Sequence, residues 1–228
     1  MYKHILEALD HTCLKPDATH QDIDKLCRDA VIEGAHSICV APYYTHFARG
    51  LLDLYADMYC QPTPKLCVVV GFPHGNTIPT VKGYEAKKAV QFGADEIDMV
   101  INIGMLKERC EAILLDEIEQ VCDAAPKRIV KVIVETGVLS EEDKVYACHI
   151  INKTRAQFIK TSTGYNGGGA TVEDIELFKK HLIPFKSIKA SGGISTVEDA
   201  EKFLDAGANR IGASKVLADI QRKKSENM

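Results

Sequence analysis

Features that would indicate a membrane or a secreted protein are missing from the sequence. It has no apolar segment long enough to cross a bilayer. The first residues, Met1 to His4, do not begin a signal peptide. We therefore expect a cytoplasmic protein with no membrane partner.

Paired cysteines and closely spaced histidines are also absent. The eight cysteines include no C-x-x-C pair, and Cys39 and Cys67 lie in apolar runs, where reduced cysteine behaves as a small hydrophobic residue. We predict free thiols. The eight histidines show no H-E-x-x-H spacing, so neither a metal site nor a cofactor is predicted. His11 and His74 fall in predicted loops, where each is either a ligand contact or an ordinary surface or hydrogen-bonded histidine.

An excess of basic charge is absent as well. The 28 basic and 32 acidic residues give a net charge of −4, which disfavours a nucleic-acid partner or a membrane surface. The basic cluster Arg222 to Lys224 lies in the polar tail, where we expect a solvated end. A composition of 46% hydrophobic and 26% charged residues is typical of one globular domain.

What is present is an alternation of eight short apolar runs with helical segments. The predicted strands begin near Leu9, Ser37, Lys65, Glu96, Ile129, Gln157, Ser187 and Arg210. Helix signals cover Thr19 to Glu33, Pro79 to Phe92, Leu106 to Ala124, Ser140 to Asn152, Thr171 to His181 and Thr196 to Ala206.

Eight such units in one chain indicate a closed parallel barrel more readily than an open doubly wound sheet. The first strand is not followed by G-x-G-x-x-G, which disfavours a dinucleotide-binding fold. We therefore predict an α/β fold, a single (β/α)8 TIM barrel over residues 1–228. In such barrels the chemistry lies at the C-terminal ends of the strands.

Charged residues interrupt four of the predicted strands. Lys131, Lys160 and Lys189 are each 29 residues apart (160 − 131 and 189 − 160), one lysine per repeat unit. Asp98 lies in the fourth strand, and strand alternation would place Glu135 on the same face as Lys131. Equivalent offsets in successive units favour a shared centre for the three lysines.

A lysine at a buried strand end can act as a nucleophile. Burial and a neighbouring cation both lower the pKa of an amine, and a neutral lysine condenses with a carbonyl to form a Schiff base. Lys160 ends the apolar run Phe158-Ile159 and is followed by small and hydroxyl residues. Asp98 could then transfer the protons that such chemistry requires. Two other interpretations stay open: Lys160 reaching out to solvent from its strand end, and a purely structural network of ion pairs.

Glycine-rich loops follow the last two strands. Ser191-Gly192-Gly193 follows the seventh, and Gly212-Ala213-Ser214-Lys215 follows the eighth and could open a helix. Backbone N–H groups of a glycine loop and a helix N-terminus form an anion site, at a position where barrels often bind phosphate.

These residues resemble the deoxyribose-phosphate aldolases, a family of class I, Schiff-base aldolases on a (β/α)8 barrel. The matching segments are Leu9 to Thr12, Val69 to Pro73, Glu96 to Asn102, Lys131 to Thr136, Phe158 to Gly164 and Ile188 to Ile194. The resemblance implies reversible cleavage of 2-deoxy-D-ribose 5-phosphate to D-glyceraldehyde 3-phosphate and acetaldehyde. It implies small phosphosugar and aldehyde substrates as the partners, and a homodimer as a candidate assembly.

The resemblance also implies roles for individual residues. Lys160 would form the Schiff base, and Lys189 would lower its pKa. Asp98 would be the proton-relay carboxylate, supported by Asp10 and Lys131. The residues predicted to contact the substrate or its phosphate are Thr12, Thr163, Gly164, Gly192, Gly193, Gly212, Ser214 and Lys215.

Two departures from the family pattern stand out. Lys215 occupies a position where a second serine is expected, and the chain ends in Asn227-Met228 without the terminal tyrosine of some members. Two alternative functions remain at this point. An isomerase or synthase on a phosphate-binding barrel would share the glycine loops without needing the lysines, and a non-catalytic phosphosugar-binding barrel would tolerate their loss.

Overall fold

The fold is an eight-stranded parallel barrel, seen in a computed structural model that describes residues 2–226. The strands pair in chain order, and β8 closes the barrel against β1. Their bounds are β1 Leu9–Cys13, β2 Ser37–Val40, β3 Lys65–Val70, β4 Glu96–Val100, β5 Ile129–Ile133, β6 Phe158–Lys160, β7 Ser187–Ser191 and β8 Arg210–Ala213. The predicted (β/α)8 barrel is confirmed.

Ten α-helices accompany the strands within residues 2–226. Their bounds are α1 Lys3–Leu6, α2 His20–Glu33, α3 Thr45–Tyr59, α4 Pro79–Gln91, α5 Ile103–Lys107, α6 Glu111–Ala124, α7 Glu141–Asn152, α8 Val172–His181, α9 Val197–Ala206 and α10 Val216–Glu226. None of these helices is both long and apolar enough to cross a bilayer.

Local sequence signals explain where several helices begin and end. Three helices begin with a capping box, at Thr19, Ser140 and Thr196. The side chain of each cap residue accepts a hydrogen bond from the backbone N–H of the third helical residue. The side chain of that third residue accepts in turn from the backbone N–H of the cap residue. Gly34 and Gly207 end α2 and α9 in the left-handed conformation that glycine adopts without strain. These predicted boundaries are confirmed.

Other helix predictions need correction. A single helix over Leu106 to Ala124 is wrong, because the chain breaks between α5 and α6 at Arg109, whose φ is 60°. The helix α3 was not predicted. Its N-cap residue, Tyr44, supplies no side-chain cap, so the usual start signal is missing.

Side chains of the strands alternate between two environments. Ile38, Leu66 and Val68 pack outward in the large core between the barrel and its helices. Cys39 and Cys67 point the other way and form a small apolar cluster inside the barrel with Val69. The outer core holds the fold together, and the barrel interior is left for polar groups.

A buried ion pair lies outside the barrel, between α4 and α6. Lys82 is fully buried, and its Nζ donates to Glu117 Oε2 at 2.7 Å and to the carbonyls of Gly75 and Val100 at 2.6 and 2.8 Å. Glu117 also accepts from the backbone N–H of Asn102 at 2.7 Å. The pair therefore fixes the loops that leave β3 and β4, at the end of the barrel where the charged residues lie.

Asn227 and Met228, where the sequence departs from the expected terminal tyrosine, lie outside the described residues.

Candidate active site

Lys160 and Lys189 meet at one oxygen of Asp98. The two lysines are register partners on β6 and β7, and each Nζ lies 2.8 Å from Asp98 Oδ2. Lys189 also donates to Asp10 Oδ2. The shared centre that the lysine spacing predicted is therefore present at the C-terminal side of the barrel.

Lys131 reaches the same carboxylate from a lower layer. It is the register partner of Asp98, whereas the partner of Lys160 on β5 is Ile133. Its Nζ lies 2.8 Å from Asp98 Oδ1 and 2.6 Å from Glu96 Oε2. Lys131 therefore lies lower along the barrel than Lys160, although the lysines are equally spaced in sequence, because neighbouring strands of a closed barrel are staggered.

Glu135 does not join this cluster. The fifth strand ends at Ile133, and Glu135 adopts a left-handed conformation with φ 61°, so the alternation that placed it with Lys131 does not apply. Its carboxylate instead accepts from the backbone N–H of Thr163 at 3.1 Å and from Asn166 Nδ2 at 2.9 Å. Glu135 therefore orders the loop that follows β6.

Sequence reasoning missed the lower part of the charged cluster. Arg210 donates to Asp10 Oδ1 at 2.8 Å and to Glu96 Oε2 at 3.2 Å, and it stacks 5.6 Å from the Phe158 ring. Ser37 donates to Asp10 Oδ1 at 2.6 Å. In the sequence, Arg210 opens a strand just after a turn, where an arginine ordinarily reaches solvent. Its pairing with buried carboxylates needs the closure of β8 onto β1.

Four basic groups and three carboxylates share the barrel interior. The basic side chains are Lys131, Lys160, Lys189 and Arg210, and the acidic ones are Asp10, Glu96 and Asp98. If every group were ionised, the cluster would carry one uncompensated positive charge, which is costly in a buried site.

The pKa shifts show which groups stay ionised. Burial alone raises the pKa of Asp98, but the three lysines outweigh it and hold that pKa well below its usual range. Burial lowers the pKa of Lys189, but the carboxylates of Asp10 and Asp98 reverse the effect and raise it. Burial likewise raises the pKa of Glu96, but Lys131 leads the groups that lower it to about 2.

The remaining members of the cluster follow the same pattern. The pKa of Lys131 and that of Arg210 are raised by carboxylates despite burial, and the pKa of Asp10 is lowered by its cationic neighbours despite burial. Three cations therefore balance three anions. Lys160 is the fourth basic side chain, beyond the three that balance the carboxylates, and it pairs with Asp98 alone among them.

Cys67 is a hydrogen-bonding member of the cluster rather than only a small hydrophobic residue. Its Sγ lies 3.0 Å from Asp98 Oδ1 and 3.4 Å from Lys131 Nζ. Burial raises the pKa of the Cys67 thiol, so the thiol keeps its proton and donates to the carboxylate. All eight cysteines are free thiols, as predicted.

The described residues contain two groups whose donor atoms are close enough to hold a metal ion. They are Cys39, Cys67 and Asp98, and Asp10, Cys67 and Glu96. In both groups the carboxylates are already bonded to lysine or arginine side chains. The ammonium and guanidinium groups thus occupy the positions that a cation would take.

A cavity of about 520 Å³ opens above the cluster. Lys160, 3% exposed, lines this cavity. The other lysines and the carboxylates of the cluster are not among its lining residues. A ligand in the cavity therefore meets the charged cluster through Lys160.

The predicted phosphate-binding residues lie around the same cavity, with one exception. The lining residues include Thr12, Thr163, Gly164, Gly192, Gly193, Gly212 and Ser214. Gly164, Gly192 and Gly193 all have positive φ, which turns their backbone in a way that other residues rarely adopt. Lys215 is exposed and is not among the lining residues, so its role stays a prediction.

The loop after β6 packs tightly against the glycine pair. A Cβ added at Gly169 would lie 2.4 Å from the carbonyl oxygen of Gly192, so only glycine fits there. Tyr165 extends from the same loop across the mouth of the barrel, where its hydroxyl donates to the carbonyl of Leu14 at 2.7 Å and its ring meets Phe72 edge-on. Tyr165 lines the cavity and was not predicted.

Of the two histidines considered from the sequence, His11 lines the cavity and His74 does not. His11 lies on β1 rather than in a loop, and burial lowers its pKa to about 4. Ser162 and Ser191 also line the cavity and were not predicted. Ser162 lies two residues after Lys160, just beyond the end of β6.

Comparisons with known proteins agree with this geometry. Residues 4–222 match the family model described as DeoC/LacD family aldolase. The chain is 44% identical over 227 residues, 99% of each protein, to a deoxyribose-phosphate aldolase of Halalkalibacterium halodurans.

Two solved structures have the same fold over nearly the whole chain. An aldolase designated QR15 is 32% identical with a TM-score of 0.89, covering 98% of this chain and 99% of that one. A deoxyribose phosphate aldolase from Aeropyrum pernix, described as having a unique tetrameric structure, is 29% identical with a TM-score of 0.83, covering 97% and 92%.

Proposed function

This chain belongs to the DeoC/LacD family of aldolases, and we propose that it cleaves 2-deoxy-D-ribose 5-phosphate reversibly to D-glyceraldehyde 3-phosphate and acetaldehyde through a Schiff base on Lys160. As an aldolase it is a carbon–carbon lyase. The observation that carries the residue assignment is the charge balance of the cluster, in which Lys160 is the one amine not needed as a cation.

The position of Lys160 suits a nucleophile. Lys160 lines the cavity. Of the acidic side chains within residues 2–226, its Nζ pairs with Asp98, and Asp98 also pairs with Lys189. Lys189 holds its proton, because two carboxylates raise its pKa despite burial. A second ammonium at the same oxygen is disfavoured by repulsion between like charges. A neutral Lys160 amine is free to attack the aldehyde carbon of the open-chain sugar.

The reaction then proceeds in balanced steps. The amine of Lys160 adds to carbon 1, and loss of water gives a protonated imine. The bond between carbons 2 and 3 breaks, its electron pair forms an enamine, and the hydroxyl on carbon 3 loses its proton to become the aldehyde of glyceraldehyde 3-phosphate. Protonation of the enamine carbon and hydrolysis of the imine release acetaldehyde and restore the lysine.

The proton transfers need a relay beside the imine. Asp98 lies within hydrogen-bond distance of Lys160, and Lys189 lies within hydrogen-bond distance of Asp98. A proton can therefore pass between these groups and the reacting atoms. Asp10 and Lys131 support this relay by keeping Lys189 and Asp98 ionised. General acid–base catalysis of this kind typically contributes about 10²–10⁴-fold.

The other end of the cavity suits the phosphate. The backbone of Gly192 and Gly193, together with the loop at Gly164 and the residues before α10, surrounds the side of the cavity formed by β7 and β8. Backbone N–H groups at such a place bind phosphate in many barrels. Lys215 would add a positive charge at the rim.

Location and assembly are part of the proposal. Eight free thiols support a reducing compartment, and we place the protein in the cytoplasm. A homodimer is the proposed assembly. An isomerase or a non-catalytic sugar-binding protein is less well supported, because neither needs three lysines and Asp98 in one buried cluster.

Borohydride trapping tests the proposal directly. Reduction in the presence of acetaldehyde should add a two-carbon group to the peptide that contains Lys160. Lys160→Leu removes the amine without adding a charge to the cluster, and it should give no label and no turnover. A label on Lys189 or Lys131 instead would overturn the assignment. Absence of cleavage of deoxyribose 5-phosphate by the unaltered protein would overturn the proposed reaction.

A further inference from the structure

One buried hydroxyl in the cavity wall has no hydrogen-bond partner within residues 2–226. Ser162 is 1% exposed, and its Oγ is unpaired. A buried polar atom that has lost water ordinarily recovers the lost free energy through a partner in the protein or in a bound molecule. Because Ser162 lines the 520 Å³ cavity, a ligand bound there can supply that partner.

Ser162 lies between the two ends of the proposed substrate site. It follows Lys160 by two residues, just beyond the end of β6, and both residues line the cavity. On its other side, a Cβ added at Gly192 would lie 3.3 Å from the Cβ of Ser162. Its backbone carbonyl accepts from Ser191 Oγ at 2.6 Å, which fixes the position of the residue. The unpaired hydroxyl is thus held between the Schiff-base lysine and the glycine pair assigned to the phosphate.

The chain of the substrate determines what the hydroxyl meets. With carbon 1 on Lys160 and the phosphate at Gly192 and Gly193, carbons 3 and 4 lie between them. The hydroxyl on carbon 3 gives up its proton during cleavage and is therefore assigned to the side of the cavity at Lys160, whose Nζ bonds Asp98. The hydroxyl on carbon 4 is the remaining polar group of the sugar.

We propose that Ser162 Oγ binds the hydroxyl on carbon 4, which becomes the hydroxyl on carbon 2 of the released aldehyde. This inference rests on the proposed function and deepens it, because it makes Ser162 a residue that selects α-hydroxy aldehyde phosphates. A site built to pair with a substrate hydroxyl discriminates against an analogue that lacks it, since the protein group is then left unpaired.

Removing the hydroxyl from the enzyme and from the substrate separately tests the contact. The acceptors are D-glyceraldehyde 3-phosphate and 3-oxopropyl phosphate, which lacks that hydroxyl, each with acetaldehyde as donor. Ser162→Ala should lower kcat/KM for glyceraldehyde 3-phosphate by about three- to tenfold, the effect of one neutral hydrogen bond. It should leave kcat/KM for 3-oxopropyl phosphate within about twofold.

Thr136→Val is the matched control. Thr136 Oγ1 is likewise buried and unpaired within the described chain, but Thr136 does not line the cavity. This variant should leave the ratio of the two kcat/KM values unchanged. Ser162→Cys, which keeps the size but weakens the donor, should lower the ratio in the same direction as Ser162→Ala.

Stability provides a second readout. Because the hydroxyl is unpaired without substrate, Ser162→Ala should unfold at the same Tm as the parent or a higher one. Equal losses with both aldehydes, no loss with either, or a lowered Tm would overturn the assignment of Ser162. If the parent converts neither aldehyde, the proposed function fails instead, so the two failures are distinguishable.

Discussion

Lys160 and Lys189 donate to the same oxygen atom, Oδ2 of Asp98, each from 2.8 Å. The two amines differ in their other contacts. Lys189 also bonds Asp10, whereas the acidic contact of Lys160 within residues 2–226 is the shared one. One carboxylate oxygen thus joins a lysine held by two carboxylates to the lysine that lines the cavity.

Lys189→Leu should shift the pH dependence of the reaction to higher pH. Without Lys189, the cations Lys131 and Arg210 no longer balance the three carboxylates, and Lys160 can take up the missing charge. The acid side of the profile of kcat/KM against pH should move upward by about 1–2 pH units. Lys87→Leu removes an exposed charge on α4 and should leave the profile in place. An unshifted profile in folded Lys189→Leu would mean that its charge does not act on Lys160.

Asp98→Asn should cripple turnover while leaving a folded protein. The amide keeps the size of the side chain but cannot accept and return protons as a carboxylate does, so kcat should fall by about 10²–10⁴-fold. Steady-state kinetics measure the loss, and circular dichroism checks the fold. Full activity in the folded variant would show that Asp98 is structural.

Glu96→Gln should remove part of the acid sensitivity of the fold. The folded protein lowers the pKa of Glu96 from its ordinary 4.5 to about 2, because Lys131, a hydrogen bond with His36 and Arg210 together outweigh the effect of burial. The unfolded chain therefore binds the proton more readily between these values, and stability is lost as pH falls from 4.5 through 2. The shift corresponds to about 3 kcal/mol.

Urea unfolding of the parent and of Glu96→Gln at pH 7 and pH 3 provides the measurement. The variant should be less stable at pH 7, and its stability should change less between the two pH values. Glu176→Gln, at an exposed carboxylate on α8, should follow the parent at both. A variant as stable as the parent at pH 7 would contradict the role of Glu96 in the cluster.

Lys215→Ser tests the departure from the family pattern at the phosphate end. If the ammonium contacts the phosphate, the variant should raise KM for deoxyribose 5-phosphate and leave kcat nearly unchanged. A hydrogen bond to a charged group is worth about 1.5–3 kcal/mol, which sets the upper size of the effect. Unphosphorylated deoxyribose should be barely affected. Equal effects on both sugars, or none on either, would show that Lys215 does not contact the phosphate.

The sequence predicted the upper part of the site because that part repeats locally. The regular spacing of one lysine per repeat unit identified Lys160 and Lys189, which are register partners in the structure. The lower part depends on contacts that no single strand reveals. Arg210 and Glu96 meet only after the barrel closes, and the stagger of β5 that lowers Lys131 by two residues follows from the geometry of the whole ring.

Helix prediction failed where the local signal was weak or misleading. The start of α3 has no capping side chain, and the continuous polar and apolar pattern from Leu106 onward hid the turn at Arg109. Lys82 and Glu117 lie on predicted helices, where charged residues are ordinarily exposed. Their burial against two strand-end loops follows from the packing of α4 on α6, which sequence periodicity does not specify.

The balanced charges of the barrel interior also limit how this chain can be altered. Replacing one member by an apolar residue lowers stability, because its former partner loses a compensating charge inside the protein. Replacing Lys131 together with Glu96 would leave Lys189 and Arg210 against Asp10 and Asp98, again in balance. Redesign that keeps the full stability of this interior therefore exchanges opposite charges two at a time.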